Sequence, residues 1–128
     1  MFNKIEKISC IIIVEELTTD ILIKSFESQV YPNKELVVLT RIECNVDGYL
    51  NKKIPSNLQD SWAKDLAIEL TTGNLICWWN KEHHPFYLSH RVKKDFDESF
   101  FPKQKFYESQ NMLYCKSQLE NKEYYDEI

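Results

Sequence analysis

The sequence predicts an α/β fold, in which a mostly parallel sheet has helices on both faces and so forms three layers. Residues 7–14 and 35–40 are nearly continuous apolar runs rich in β-branched side chains, which is typical of strands buried on both faces in a parallel sheet. The segment between these runs has the spacing of an amphipathic helix. The three elements therefore predict a β-α-β unit with a right-handed crossover.

The helix of this unit is predicted to begin after side-chain oxygens at positions 18–20, which can accept hydrogen bonds from its first N–H groups. It should extend to about Gln29, and Pro32 and Asn33 should then turn the chain into the second strand. Apolar side chains at i, i+3 and i+7 should share one face of this helix. They are Ile23, Phe26 and Val30.

The middle of the chain is predicted to contain a longer helix and a third strand. Residues 41–57 are the least regular and include an Asp-Gly turn signal. The helix should cover about residues 58–71, because apolar side chains recur there every four positions. These side chains are Leu58, Trp62, Leu66 and Leu70. Gly73 is expected to follow as the left-handed residue that ends the helix, and residues 74–79 should form the third strand.

The last third of the chain predicts less regular structure. Pro85 suits the first position of a further helix. The apolar stripe of that helix is Leu88, Val92 and Phe96. Pro102 should then break the chain, residues 106–116 should form one or two short strands, and a short helix should follow at about residues 117–122.

Composition excludes several classes of protein. The net charge of −4 provides no basic field, so no nucleic-acid partner is expected. No apolar run approaches the length of a transmembrane segment and no signal peptide is recognisable, so we expect a cytoplasmic location. The two glycines are too few for a Gly-rich phosphate loop. The 128 residues fit one domain, residues 1–128, in which Cys10 and Cys77 should be buried thiols.

A polar cluster follows the third predicted strand and contains Asn80, Lys81, Glu82, His83 and His84. In an open α/β sheet, ligands bind beyond the carboxyl ends of the strands, so this cluster is the candidate site. It could hold a metal-bound phosphate. Alternatively, it is a polar loop in which Glu82 or His84 accepts hydrogen bonds from the first N–H groups of the following helix.

Three segments carry motifs of a known family. Residues 25–38 read Ser-Phe-Glu-Ser-Gln-Val-Tyr-Pro-Asn-Lys-Glu-Leu-Val-Val, and residues 63–77 read Ala-Lys-Asp-Leu-Ala-Ile-Glu-Leu-Thr-Thr-Gly-Asn-Leu-Ile-Cys. These stretches, with residues 111–120 and the Tyr-Tyr-Asp-Glu at 124–127, resemble the family 2 glycosyltransferases. The first is similar to the family's Ser-x-x-x-Gln-x-Tyr-Pro-Asn-x-Glu stretch, and the second to its Ala-Arg-Asn-x-Gly-Ile helix and the strand after it. Together the segments extend over nearly the whole chain.

The resemblance implies a pared-down nucleotide-diphospho-sugar transferase (GT-A) fold and the transfer of a sugar from a nucleotide-sugar to an acceptor. By position, it implies nucleotide-sugar contacts for Thr40, Lys64 and Asp65. The family's acidic metal motif falls on Asn80 and Glu82. With His84, these residues would hold a divalent cation, Mn²⁺ or Mg²⁺, which offsets the charge of the diphosphate.

The chain differs from the family at the positions that the reaction requires. Thr40 and Arg41 stand where an Asp pair would hold the nucleoside, and no residue matches the carboxylate that acts as general base. The short linker before the long helix implies that one strand of the sheet is missing. We therefore expect a catalytically degenerate domain with weakened or lost nucleotide-sugar binding. Two alternatives stay open, namely an active metal-dependent transferase completed by a partner subunit, and a structural module that forms a homodimer through exposed Trp and Tyr residues.

Overall fold

The computed structural model describes residues 5–16 and 19–107 and confirms an α/β fold with a mostly parallel sheet. The described residues form five strands in the spatial order β3-β2-β1-β4-β5. The strands are β1 (Ile8–Val14), β2 (Lys34–Thr40), β3 (Leu50–Lys53), β4 (Leu75–Trp78) and β5 (Phe100–Pro102). Strands β1 to β4 are parallel, and β5 is antiparallel to β4.

Helices pack on both faces of this sheet, as the sequence predicts. They are α1 (Asp20–Glu27), α2 (Asp60–Glu69) and α3 (Tyr87–Arg91). Successive side chains of a strand point to opposite faces. Cys10 and Ile12 of β1 therefore belong to the core that contains Phe26 of α1 and Leu88 of α3, whereas Ile11 belongs to the core that contains residues of α2. The result is three layers, with β1 buried on both faces.

All three helices are shorter than predicted, and α2 spans Asp60–Glu69 rather than about residues 58–71. α1 ends at Glu27, so Val30 lies beyond it, is 52% exposed and donates its N–H to the carbonyl of Pro85. The prediction that Val30 shares the buried face is therefore wrong. α3 begins at Tyr87 and ends before Phe96, which is 43% exposed rather than part of a buried stripe.

The sequence does not predict the two edge strands. β3 lies within residues 41–57, which were expected to be irregular, because its Leu-Asn-Lys-Lys sequence is mostly polar and largely exposed and so lacks the pattern of a buried strand. β5 ends at Pro102, the predicted break. Residues 103–107 are helical, so the strand predicted from residue 106 is wrong at its start. The remainder of that strand and the helix at about 117–122 lie outside the described residues.

Gly73 does not have the predicted left-handed conformation. In the described part of the chain, the glycine with a positive φ is Gly48, at 87°, in the Asp-Gly turn. Gly73 is needed for close packing instead, because a Cβ there would lie 2.6 Å from both the Lys7 carbonyl oxygen and Ser9 Oγ. Gly73 therefore lets the segment before β4 lie directly against the start of β1.

Candidate functional site

A crevice lies at the carboxyl ends of β1 and β4. The chain passes from β1 to β2 on one side and later returns to β4 on the other, so this boundary is the topological switch point of the sheet. β1 pairs with β2 as far as Val14, but with β4 only as far as Ile11. Beyond this point, the last residues of β1 form one wall of a cavity of about 400 Å³, which we call the switch-point crevice.

The crevice combines an apolar floor with a polar rim. The floor includes Ile13 of β1 and Leu22 of α1, both partly exposed, and the rim is formed by Lys64, Asn80, Glu98 and Ser99. The carbonyl of Ser99 accepts a hydrogen bond of 2.9 Å from the backbone N–H of Trp78. The turn that carries the Glu98 carboxylate is therefore fixed to the end of β4.

The two tryptophans after Cys77 have different roles. Trp79 is fully buried, and its indole N–H donates to the carbonyl of Leu22 at 2.8 Å. Trp78 is half-buried at the crevice, with the Lys64 ammonium 5.4 Å from the centre of its ring. A cation over the face of an indole is held there by the charge distribution of the ring. Trp78 therefore directs the Lys64 ammonium to the crevice.

Arg41 lies at the other half of the same sheet edge, between β1 and β2, and its side chain is 8% exposed. Its Nη1 donates to the carbonyls of Leu58 at 2.6 Å and Ser56 at 3.3 Å, and its Nη2 donates to Asp60 at 2.8 Å. Its Nε lies 3.2 Å from a carboxylate oxygen of Glu15, an ion pair without hydrogen-bond alignment. This Arg41 clamp ties the end of β2 to the start of α2.

Of the three residues predicted to contact a nucleotide-sugar, one lines the crevice and two lie elsewhere. Lys64 lines the crevice. Thr40 is 2% exposed at the end of β2, where its carbonyl accepts a hydrogen bond from Ile54. Asp65 is half-buried on α2. The described lining of the crevice includes neither Thr40 nor Asp65.

The three predicted metal ligands line two different cavities. Asn80 lies at the switch-point crevice, whereas Glu82 and His84 line a second cavity of about 610 Å³ beside α1. In the part of the chain that the structure describes, no group of three or more His, Cys, Asp or Glu residues is arranged to hold a metal ion.

His84 also has a competing structural contact. Its Nδ1 accepts a hydrogen bond of 3.2 Å from the backbone N–H of Phe86, just before α3. A neutral imidazole has one unprotonated nitrogen, so while Nδ1 accepts this bond, Nε2 carries the proton and cannot bind a cation. The donors as arranged do not fit a divalent cation, and the cation site stays a prediction that titration can test.

The loop that carries these residues is anchored to α1 and the residues just after it. Ser25 Oγ donates to the carbonyl of His83 at 3.0 Å and accepts from the N–H of His83 at 2.8 Å. Gln29 donates to the carbonyl of His84 at 2.8 Å and accepts from the N–H of Leu88 at 3.0 Å. Ser25 and Gln29 are the first polar positions of the Ser-x-x-x-Gln stretch, so this part of the motif fixes the loop in place.

Within the polar cluster, the pKa of His83 is shifted. Its ring stacks on Tyr87 with the centroids 3.6 Å apart. Burial, together with the charges of Lys81 and His84, lowers the pKa of His83 to about 4. The imidazole is therefore neutral at pH 7, and it packs between aromatic rings rather than facing the crevice.

Sequence reasoning missed Glu98, Ser99 and the role of Arg41. Glu98 and Ser99 lie in a turn after α3, and no spacing in the sequence connects them to Asn80. Arg41 was noted as a replacement for an acidic residue, but its carbonyl acceptors are at positions 55–58, which no pattern links to the end of β2.

The fold and the crevice define an α/β protein with a candidate ligand site at the switch point of its sheet. No protein-family model matches the chain, and no curated protein does. Within residues 5–16 and 19–107, none of the helices is long and apolar enough to cross a membrane.

Proposed function

We propose that this chain is a catalytically degenerate relative of the family 2 glycosyltransferases, with a pared-down GT-A fold. It binds a small ligand in the switch-point crevice and does not transfer a sugar. One observation carries the proposal: at the carboxyl edge of the sheet, the β4 side has a crevice with a polar rim, whereas on the β2 side the Arg41 guanidinium is engaged by carbonyl and carboxylate groups of the protein itself. Ligands of open α/β sheets bind at the switch point, which is where this crevice lies.

The motif that suggests the lineage supports a structural role rather than catalysis. Beyond Ser25 and Gln29, the hydroxyl of Tyr31 donates to the carbonyl of Glu6, and the amide of Asn33 donates to the carbonyl of Ile5. The Glu35 carboxylate accepts hydrogen bonds from Ser9 and Thr72. Each of these polar positions holds together segments that are distant in sequence, so the pattern can persist for the fold without any activity.

The crevice itself supports binding. A volume of about 400 Å³ lies within the range of roughly 300–1,000 Å³ that is usual for small-molecule sites. Lys64, Asn80, Ser99 and Glu98 provide hydrogen-bond donors and acceptors around an apolar floor. This is the composition expected of a site that orients a polar ligand.

The experiment combines a binding measurement with an activity assay. UDP-glucose and UDP-N-acetylglucosamine are titrated by calorimetry with and without Mn²⁺, and UDP release is followed in the same samples. We expect weak binding, with a Kd of about 1 mM, that does not depend on Mn²⁺, and no UDP release above that of a protein-free sample. Lys64→Ala should remove the binding, and Lys52→Ala, on the exposed β3, is the matched control.

Two outcomes would overturn the proposal. Release of UDP that requires Mn²⁺ and is lost in Glu82→Ala would favour an active metal-dependent transferase. Binding that survives Lys64→Ala and Asn80→Ala would move the ligand site away from the crevice.

A further inference from the structure

We infer that the ligand of the switch-point crevice is a small polyhydroxylated ring without net charge, such as a saccharide unit, and that a nucleoside diphosphate adds nothing to its binding. This inference rests on the proposed function, because it takes the crevice as the binding site. It goes further in assigning which part of a nucleotide-sugar the site would recognise.

The charges of the crevice are balanced. Its described lining contains one cation, the Lys64 ammonium, and one anion, the Glu98 carboxylate. A diphosphate, with its concentrated negative charge, would meet a single ammonium and an opposing carboxylate there. A ligand without net charge meets no such repulsion, and both groups can form hydrogen bonds with it.

A longer ligand that extended across the end of β1 would meet a second cavity of about 450 Å³, which Glu15, Arg41 and Asp60 line. The one cation of those three side chains is already engaged. Its guanidinium donates to backbone carbonyls and to Asp60, and it is ion-paired with Glu15. With two carboxylates around one guanidinium, this end of the sheet is electrostatically unfavourable for phosphates.

The remaining groups of the crevice suit hydroxyls. A sugar hydroxyl both donates and accepts, and the rim offers an amide that does both at Asn80, a hydroxyl at Ser99, an acceptor at Glu98 and a donor at Lys64. The partly exposed apolar side chains of the crevice, Ile13 and Leu22, can contact the C–H face of a sugar ring. The cavity is also at the small end of the usual range, which favours one or two rings over a complete nucleotide-sugar.

The test compares three ligands on the full chain by calorimetry and by saturation-transfer NMR. The ligands are the free disaccharide of N-acetylglucosamine, UDP-N-acetylglucosamine, and UDP. We expect the first two to bind with Kd values within about threefold of each other, and UDP to give no heat and no saturation transfer at the same concentration. Glu98→Gln should weaken binding of the disaccharide, with Glu69→Gln, exposed at the end of α2, as the matched control.

The outcomes separate the inference from the proposed function. If UDP binds as tightly as UDP-N-acetylglucosamine and Lys64→Ala still abolishes that binding, the crevice is the site and the inference is wrong. If none of the three ligands binds, both the inference and the proposed function are wrong. If Glu98→Gln leaves disaccharide binding unchanged while Lys64→Ala removes it, the carboxylate has no part in recognition and the charge-balance argument fails.

Discussion

The two ends of the central strand β1 differ in how their polar groups are used. At the amino end, polar groups of three segments, residues 5–9, 31–35 and 72–73, form hydrogen bonds with one another. At the carboxyl end, the Arg41 clamp connects segments on the β2 side in a similar way, but the β4 side has a crevice with a polar rim. The difference indicates which polar groups hold the fold together and which remain available to a ligand.

The polar groups of the amino-end network are bonded to one another. Thr72 donates its N–H to Glu35 at 2.6 Å, and Gly73 donates its N–H to Ser9 Oγ at 2.8 Å. Lys7 lies 3.7 Å from the Glu35 carboxylate and donates to the Thr72 hydroxyl at 2.6 Å. Changes in this network should therefore affect stability, whereas changes in the crevice should affect binding.

The largest expected effect is that of Gly73→Ala. The new Cβ would lie 2.6 Å from the backbone oxygen of Lys7, so strands β1 and β4 would have to separate, at a cost of about 3 kcal/mol in the free energy of unfolding. Urea denaturation followed by circular dichroism measures this cost. Gly48→Ala is the matched control, since nothing lies within 4 Å of its added Cβ and its positive φ should cost only about 1 kcal/mol. A greater loss for Gly48→Ala would contradict the close-packing explanation.

Arg41→Ala should have the next largest effect. It removes charged hydrogen bonds to the carbonyls of residues 56 and 58 and to Asp60, which should cost about 2 kcal/mol of stability. The same denaturation experiment measures it. Arg41→Lys should recover only part of the loss, because an ammonium cannot reproduce the planar fork of the guanidinium. If Arg41→Ala is as stable as the wild type, the Arg41 clamp does not hold β2 to α2.

The sequence predicts the interior strands of the sheet but not its edge strands. The strands β1, β2 and β4 were predictable because both of their faces are buried and their apolar runs are continuous. β3 was not, because Leu50 at its start is 54% exposed and the rest of the strand is polar. Among the residues that line the crevice, Lys64 and Asn80 could be proposed from their positions in the family motifs. Glu98 could not, because a tertiary contact of its turn with β4 brings it to the crevice and no local sequence pattern indicates that contact.

Glu35 should make stability depend on pH in the acidic range. Burial raises the pKa of this carboxyl, but hydrogen bonds from Ser9 and Thr72 and the charge of Lys7 outweigh that effect and hold the pKa below the usual 4.5. The unfolded chain therefore binds this proton more tightly, so stability is complete above about pH 4.5 and is lost as the pH falls below it. Thermal melts from pH 7 to pH 3 measure this dependence.

The control for this pH dependence is Glu35→Gln, which keeps the shape but cannot titrate. Its melting temperature should be lower than that of the wild type at pH 7, and the difference should narrow as the pH falls below 4.5. A difference that stays constant over the whole range would mean that Glu35 titrates in the folded chain as it does in the unfolded one.

Lys64→Ala should have the smallest effect on stability. Lys64 is exposed on α2, so the loss should be within about 0.5 kcal/mol, although the contact with Trp78 is removed. Ligand binding by the Lys64→Ala variant, by contrast, should fall below detection. A loss of stability as large as that of Arg41→Ala would place Lys64 among the structural residues and remove the distinction between the two halves of the sheet edge.

The most direct test of the central claim is a titration of ¹⁵N-labelled protein with the N-acetylglucosamine disaccharide, followed by two-dimensional NMR with and without Mn²⁺. We expect chemical-shift changes that concentrate at Ile12, Ile13, Lys64, Asn80 and Glu98. They should be the same with and without Mn²⁺ and should leave Arg41 and Asp60 unaffected. Changes centred on Arg41, changes at Glu82 and His84 that require Mn²⁺, or no changes at all would contradict the central claim.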